Sequence, residues 1–271
     1  MLEACSNRGI NTYAIGDIHG SYKALMQCLS LANFDYEQDH LIVLGDVCDG
    51  YPETRQCIDE LLKIKNCHLI RGNHDQWALD WMLSGIKPEI WTRQGGEATL
   101  KSFGAISVKA ETVVPEVYKN FLLTGKHYIE WQNNKSQNQL FVHGGFEPGI
   151  PIGQQDKNLL MWDRQLVRRA YDSVFLLKSS FNKKDGDTKD KDIIKFNGYD
   201  DIFVGHTTTE TFYSLQPIHA CNVWMLDTGA GWSGKLTIMN INTYQYWQSQ
   251  PSKELYKDTI ARNFMYKKTY K

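Results

Sequence analysis

Short apolar runs that break off at glycine, aspartate, asparagine or histidine recur along the chain. Residues 11–15 stop at Gly16-Asp17, 40–44 at Gly45-Asp46, and 68–70 at Arg71-Gly72-Asn73-His74. Further on, 140–142 stop at His143-Gly144-Gly145 and 201–204 at Gly205-His206. Each run has strand length and is rich in Ile, Val, Leu or Phe, as in strands buried on both faces. Between the first three, apolar residues recur at helical spacing. Ala24, Leu25, Cys28, Leu29 and Leu31 do so within 22–32, and Cys57, Ile58, Leu61, Leu62 and Ile64 within 53–65. This alternation predicts an α/β fold with parallel strands in its first half. Polar residues gathered at the carboxyl ends of such strands mark where α/β sheets carry their sites.

Residues 76–126 read as mostly helical, with Trp77, Trp81 and Trp91 as packing residues. The second half returns to strands over 126–131, 140–142, 201–204, 223–226, 235–240 and 245–248. Alternation is clearest at the end, which predicts an antiparallel sheet with one wetter face and Tyr244, Tyr246 and Trp247 in the core. Residues 182–192, NKKDGDTKDKD, are charge-dense and read as a flexible surface insertion. With no internal repeat and no second core, residues 1–271 are expected to form one domain.

A formal net charge of -1 excludes the global basic field of a general nucleic-acid binder. No apolar run approaches the ~20 residues of a membrane span, and residues 1–11 lack the apolar stretch of a signal peptide. Cys5, Cys28, Cys48, Cys57, Cys67 and Cys221 form no CxxC pair and read as reduced, buried small hydrophobes. A cytoplasmic protein away from membranes is expected.

Five stretches carry candidate chemistry: Gly16-Asp17-Ile18-His19-Gly20, Gly45-Asp46-Val47-Cys48-Asp49-Gly50, Gly72-Asn73-His74-Asp75, His143-Gly144-Gly145 and Gly205-His206-Thr207. Singly, each passes for an ordinary turn. Jointly, each just past a predicted strand, they point to a metal site. Asp and Asn offer hard oxygen ligands and His offers nitrogen, a mixture that suits Mn, Fe, Zn or Ni better than calcium. Asp17 and His19 are two apart, so a tight turn can aim both at one ion. The two oxygens of Asp46 allow it to bridge two cations. The glycines permit positive φ and close backbone approach. Two cations with few anionic ligands retain positive charge, which attracts phosphate.

These stretches, in this order, resemble the calcineurin-like metallophosphoesterase superfamily, and within it the serine/threonine protein-phosphatase branch, especially compact bacterial and phage members. The likeness runs from near Thr12 to near Ile241. It implies an α/β four-layer sandwich, two mixed β-sheets flanked by helices. It also implies two divalent transition-metal ions at the strand ends, manganese first, with iron, zinc or nickel as alternatives. Matched residue by residue, the resemblance implies Asp17 and His19 as ligands of the first ion and Asp46 as the bridge. Asn73, His143 and His206 become ligands of the second. His74 matches the histidine beside the leaving group and Asp49 the carboxylate paired with it. The implied reaction is in-line hydrolysis of a phosphate monoester by a metal-bridging hydroxide, with cationic His74 protonating the departing alkoxide.

The segment Leu160-Met161-Trp162-Asp163-Arg164 resembles the family's Trp-x-Arg segment. Arg164 is therefore the first candidate for a phosphate clamp, the alternative being a surface ion pair. Many protein phosphatases carry Asp-Arg-Gly where this chain has Asp49-Gly50-Tyr51, so that phosphate-binding arginine is missing. Arg55, one turn into the next helix, is a candidate replacement, and Arg71 is either structural or ligand-facing. Asp227-Thr228-Gly229 is expected to steady a ligand histidine and Asp75 to cap the helix beginning there. His40, His68, His127 and His219 are expected to be structural or exposed. The expected substrates are phosphorylated proteins or small phosphate esters. Alternatives are a bis(5'-nucleosyl)-tetraphosphatase, a cyclic-nucleotide phosphodiesterase, and a catalytically silent binding scaffold.

Overall fold

A computed structural model describes residues 9–105, 113–180 and 195–259. Cys5 and the charge-dense segment 182–192 lie outside them. The first elements are β1 (Thr12–Ile15), α1 (Tyr22–Leu31), β2 (His40–Val43), α2 (Thr54–Leu61), β3 (Asn66–Leu69), α3 (Asn73–Ser84), α4 (Glu89–Trp91), α5 (Glu97–Ser102) and α6 (Glu116–Leu123). There follow β4 (Tyr128–Gln132), β5 (Asn138–Val142), α7 (Lys157–Trp162), α8 (Gln165–Ser180), β6 (Asp201–Val204), β7 (Ile218–Ala220), β8 (Val223–Met225), β9 (Thr237–Asn240), β10 (Tyr246–Gln248) and α9 (Ser252–Leu255).

These strands make two five-stranded mixed sheets, β10-β9-β1-β2-β3 and β4-β5-β6-β8-β7. β1, β2 and β3 run parallel, as their helical crossovers require, with Ala14 opposite Ile42 and Ile42 opposite His68. β5, β6 and β8 are parallel too. Because side chains alternate along a strand, each strand feeds two layers. Ala14, Ile42, Phe141, Phe203 and Met239 meet between the sheets, where the Phe141 and Phe203 rings stack at 4.8 Å. Tyr13, Ile15, Leu41 and Val43 face the other way, onto Leu25 and Cys28 of α1 and Ile58 and Leu61 of α2. Leu140, Val142, Ile202 and Val204 pack on Leu166, Val167 and Ala170 of α8. The layers run helix, sheet, sheet, helix, which is the four-layer α/β sandwich implied by the resemblance.

The closing strands pair antiparallel, but not in a sheet of their own. β9 joins the first sheet beside β1, and β10 pairs with β9, whereas β7 and β8 belong to the second sheet. Local alternation reports which face of a strand is wet; the tertiary fold chooses its partner. Of the closing aromatics, Tyr244 and Trp247 pack against the core and Tyr246 is exposed.

Candidate metal centre

Asp17 follows β1, Asp46 follows β2, Asn73 opens α3 after β3, His143 follows β5 and His206 follows β6. The parallel strands of each sheet bring these ends to one side, and the two sets meet there. Asp17, His19, Asp46, Asn73, His143 and His206 are all buried. Donor atoms of Asp17, His19 and Asp46 lie within 4.8 Å of one another, as do those of Asp46, His143 and His206. Asp46 is common to both groups: its Oδ2 is 3.6 Å from His19 Nε2 and 3.4 Å from His143 Nε2. Asn73 Oδ1 lies 3.1 Å from His143 Nε2. Nε2 of His206 is buried with no hydrogen-bond partner, an orphaned atom that a cation would satisfy. The donor chemistry and this orphaned nitrogen fit two transition-metal ions.

Backbone groups aim these side chains. His143 Nδ1 donates to the Leu44 carbonyl at 2.7 Å and His19 Nδ1 to the Cys48 carbonyl at 2.9 Å, which turns Nε2 of each toward Asp46. The Asp17 carboxylate accepts from the His206 N–H, and Asp46 Oδ1 from the His74 N–H. His19, Asp46, Asp49 and His206 have φ of 50, 48, 72 and 61 degrees. The left-handed conformation expected of the glycines is thus shared by the functional residues, and a strained non-glycine backbone costs ~1–3 kcal/mol. Gly205 is required on space alone, since a Cβ there would run into the Asp17 carboxylate.

Within this cluster, burial pushes the Asp17 carboxyl up, helped by Asp227 and Asp46. Burial works the same way on Asp46, but His143, His74 and His19 outweigh it and hold that carboxyl well below its usual range. Burial pulls the His143 imidazole down, and Asp46 and Asp17 more than offset this, carrying it to about 9. His206 is held well below the usual imidazole range by burial, Arg164 and His143.

Beside this cluster, His74 Nδ1 meets Asp49 Oδ2 at 2.6 Å. Trp91 Nε1 donates to the same oxygen at 2.8 Å, and the Thr99 hydroxyl donates to Oδ1 at 2.7 Å. Trp91 therefore does more than pack, and Thr99 is a partner of the candidate site that sequence reasoning passes over. They stand 42 and 50 residues from Asp49, beyond any local pattern. Asp75 caps α3 by accepting from the Gly72 N–H, and it also accepts from Val47 and Cys48, tying the Asp46 loop to the helix.

Among the described contacts, Arg164 alone of the three candidate arginines touches the centre. Its Nη1 donates to the His206 carbonyl at 2.9 Å and to the Thr207 hydroxyl at 3.2 Å. Arg71 turns instead to α6, donating to the Leu122 and Leu123 carbonyls and to Gln76. A helix C-terminus offers carbonyls without intrahelical partners, so the structural alternative for Arg71 is the one observed. Arg55 is exposed and held by the Tyr118 hydroxyl and Asp59, not by any group of the centre. Gly50 has φ of 82 degrees, and a Cβ there would crowd His19, so the loop disfavours any side chain at this position. His40 and His68 stack on each other beside Trp131, and His219 stacks on Trp224. In the Asp227-Thr228-Gly229 segment Asp227 Oδ1 accepts from the Gly229 N–H, and Asp227 lies near enough to raise the Asp17 carboxyl.

The model of calcineurin-like phosphoesterases as a family matches residues 10–210. The chain belongs to the calcineurin-like phosphoesterase family. Serine/threonine-protein phosphatase 1 of Salmonella typhimurium is 26% identical to this phosphoesterase over 234 residues, covering 85% of this chain and 92% of that one. A symmetrical bis(5'-nucleosyl)-tetraphosphatase of Coxiella burnetii is 35% identical over 270 residues, covering 86% of this chain and 89% of that one. A solved structure described as a candidate diadenosine tetraphosphatase shares the fold, with a TM-score of 0.60 at 15% identity, covering 89% of this chain and 94% of that one. The family is dinuclear-metal dependent, and the two donor groups sharing Asp46 match that requirement. Among the described residues no helix is long and apolar enough to cross a membrane.

Proposed function

We propose that this chain hydrolyses phosphate esters by direct attack of water on phosphorus at a dinuclear metal centre. The observation that carries this is the sharing of Asp46 between two groups of buried donors. Asp17, His19 and Asp46 would hold one ion, and Asp46, Asn73, His143 and His206 the other. Manganese is the first candidate, with iron, zinc or nickel as alternatives. When bound, two such ions would supply Lewis acidity, lowering the pKa of water toward ~7 and offsetting charge on the phosphoryl group.

The side chains supply the rest. Asp49, itself held by Trp91 and Thr99, accepts from His74 Nδ1 and so orients the imidazole. Nε2 then gives its proton to the departing oxygen as the ester bond breaks. Arg164, anchored by the His206 carbonyl, pairs with phosphate oxygens. The water oxygen joins phosphorus directly, so no phosphoenzyme forms.

Phosphomonoesters, including phosphoserine and phosphothreonine in proteins, are the first substrate class, supported by the motif order, the Trp-x-Arg segment and the Salmonella relative. Dinucleoside tetraphosphates are the second, supported by the Coxiella relative. The described cysteines are free, which fits a reducing, cytoplasmic setting. A panel of phosphopeptide, diadenosine tetraphosphate, 2′,3′-cyclic nucleotide and nitrophenyl phosphate, assayed under several added metals, tests this function. Hydrolysis should require metal and run faster on the monoesters than on the cyclic diester. Hydrolysis that survives chelation, or diester activity above monoester activity, contradicts it.

A further inference from the structure

An open groove of about 820 Å³ abuts the metal centre. The end of α7 and the start of α8 line it with Trp162, Arg164, Gln165 and Arg168. It contains none of the candidate ligands but meets them through two side chains. Arg164 donates to the His206 carbonyl, and the Trp162 ring stands edge-on to the His206 ring with centroids 5.8 Å apart. Trp162 is also edge-on to Trp77 at 5.1 Å, and Trp77 is edge-on to His74 at 5.1 Å. The two indoles thus form a continuous wall from the candidate proton donor to a candidate ligand. Trp162 is nevertheless 42% exposed, whereas Trp81 and Trp91 are buried. A large apolar ring left uncovered beside a charged centre offers its surface to a flat partner.

Two guanidinium groups and two carboxylates line the groove, and both carboxylates are engaged at helix starts: Asp156 accepts from the Asn158 N–H at 2.6 Å and Asp163 from the Leu166 N–H at 2.9 Å. Arg168 stands one turn beyond Arg164, its N–H reaching the Arg164 carbonyl. No carboxylate pairs with Arg168 among the described residues. Arg168 therefore adds to the groove a second guanidinium, besides Arg164, in the same lining as the exposed indole.

We infer that this groove is a leaving-group subsite for nucleoside polyphosphates, with the base stacked on Trp162 and a phosphate beyond the scissile one held by Arg168. The subsite presupposes the phosphoesterase centre proposed above, and of its two substrate classes the groove favours the nucleotides. A phosphoserine or phosphothreonine leaving group has neither a ring to stack nor a second phosphate to occupy Arg168. The groove volume suits such a ligand, and base–aromatic stacking tolerates any base because every base has a π-face.

Titration calorimetry on the metal-loaded full chain tests this, with α,β-methylene ADP, inorganic phosphate and a phosphoserine peptide as separate probes. Trp162→Ala should weaken the ADP analogue by at least about fivefold, the low end for loss of one stacked base. Trp162→Phe should restore most of that affinity, and Arg168→Gln, on the exposed face of α8, should also weaken the analogue. In each weakened variant the ratio of analogue to phosphate affinity falls. An unchanged ratio overturns the subsite, whether nothing weakens or both probes weaken together through a disturbed His206. A phosphoserine peptide that loses as much affinity as the analogue assigns the groove to peptides and overturns it too. Failure of the phosphoesterase centre shows separately, as absence of metal-dependent hydrolysis by the wild-type chain, because the binding ratio does not depend on turnover.

Discussion

His74 is poised by hydrogen bonds that end in two side chains far along the sequence. Its Nδ1 is fixed by Asp49, and Asp49 by Trp91 and Thr99, so the imidazole presents Nε2 in one orientation. Its backbone N–H, which an alanine at this position keeps, holds Asp46 Oδ1. His74→Ala should therefore lower kcat by about 10²–10⁴-fold on a substrate with a poor leaving group, the usual worth of a general acid, while metal content stays close to that of the wild type. Steady-state kinetics and elemental analysis check both halves, and wild-type turnover would remove the proton-donor role. Asp17, Asp46, Asn73, His143 and His206 were legible in the sequence because each sits just past the strand that places it. Arg55 and Arg71 were not, because a long side chain's target depends on which helix packs nearby. For Arg71 that helix is α6, some fifty residues on.

At the scale of elements, the carboxylate clamp is the work of a kink. Between α4 and α5 the chain makes a wide turn at Thr92–Gly96, with Gly95 at φ of 110 degrees. Gly96 lies so close to the Trp91 indole that a Cβ there would collide with it. This turn sets Trp91 of α4 and Thr99 of α5 on the two oxygens of Asp49. Trp91→Phe keeps the ring but removes the N–H. It should lower turnover by about 10–100-fold, as loss of an orienting partner typically does. Unchanged kcat would mean that Trp91 only packs. Helical periodicity can announce such a segment but not its kink, which is set by contact with the Asp49 loop. The same limit applied to the last strands, whose alternation was visible and whose division between two sheets was not.

Across the whole molecule, chemistry is concentrated at one end of the strands, and other titrating groups sit elsewhere. His40 opens β2 at the end opposite Asp46, and it stacks on His68 of β3. Burial, His40 and Lys126 hold His68 below the usual imidazole range. The folded chain then takes up this proton less readily than the unfolded chain. The stability His68 contributes is complete above its unfolded pKa of about 6.5 and is lost as pH falls through the lower folded value. In metal-free protein, where acid strips no cation, His68→Gln should shrink the fall in Tm between about pH 7 and pH 5. An equal fall in both proteins contradicts this.

The dinuclear centre stands on Asp46 serving two cations at once. The metal content of purified, manganese-saturated protein measures this most directly. Wild-type chain should hold two ions, His206→Ala one, and Asp46→Ala fewer than two. A wild-type chain that saturates at one ion, or an Asp46→Ala chain that still holds two, would contradict it.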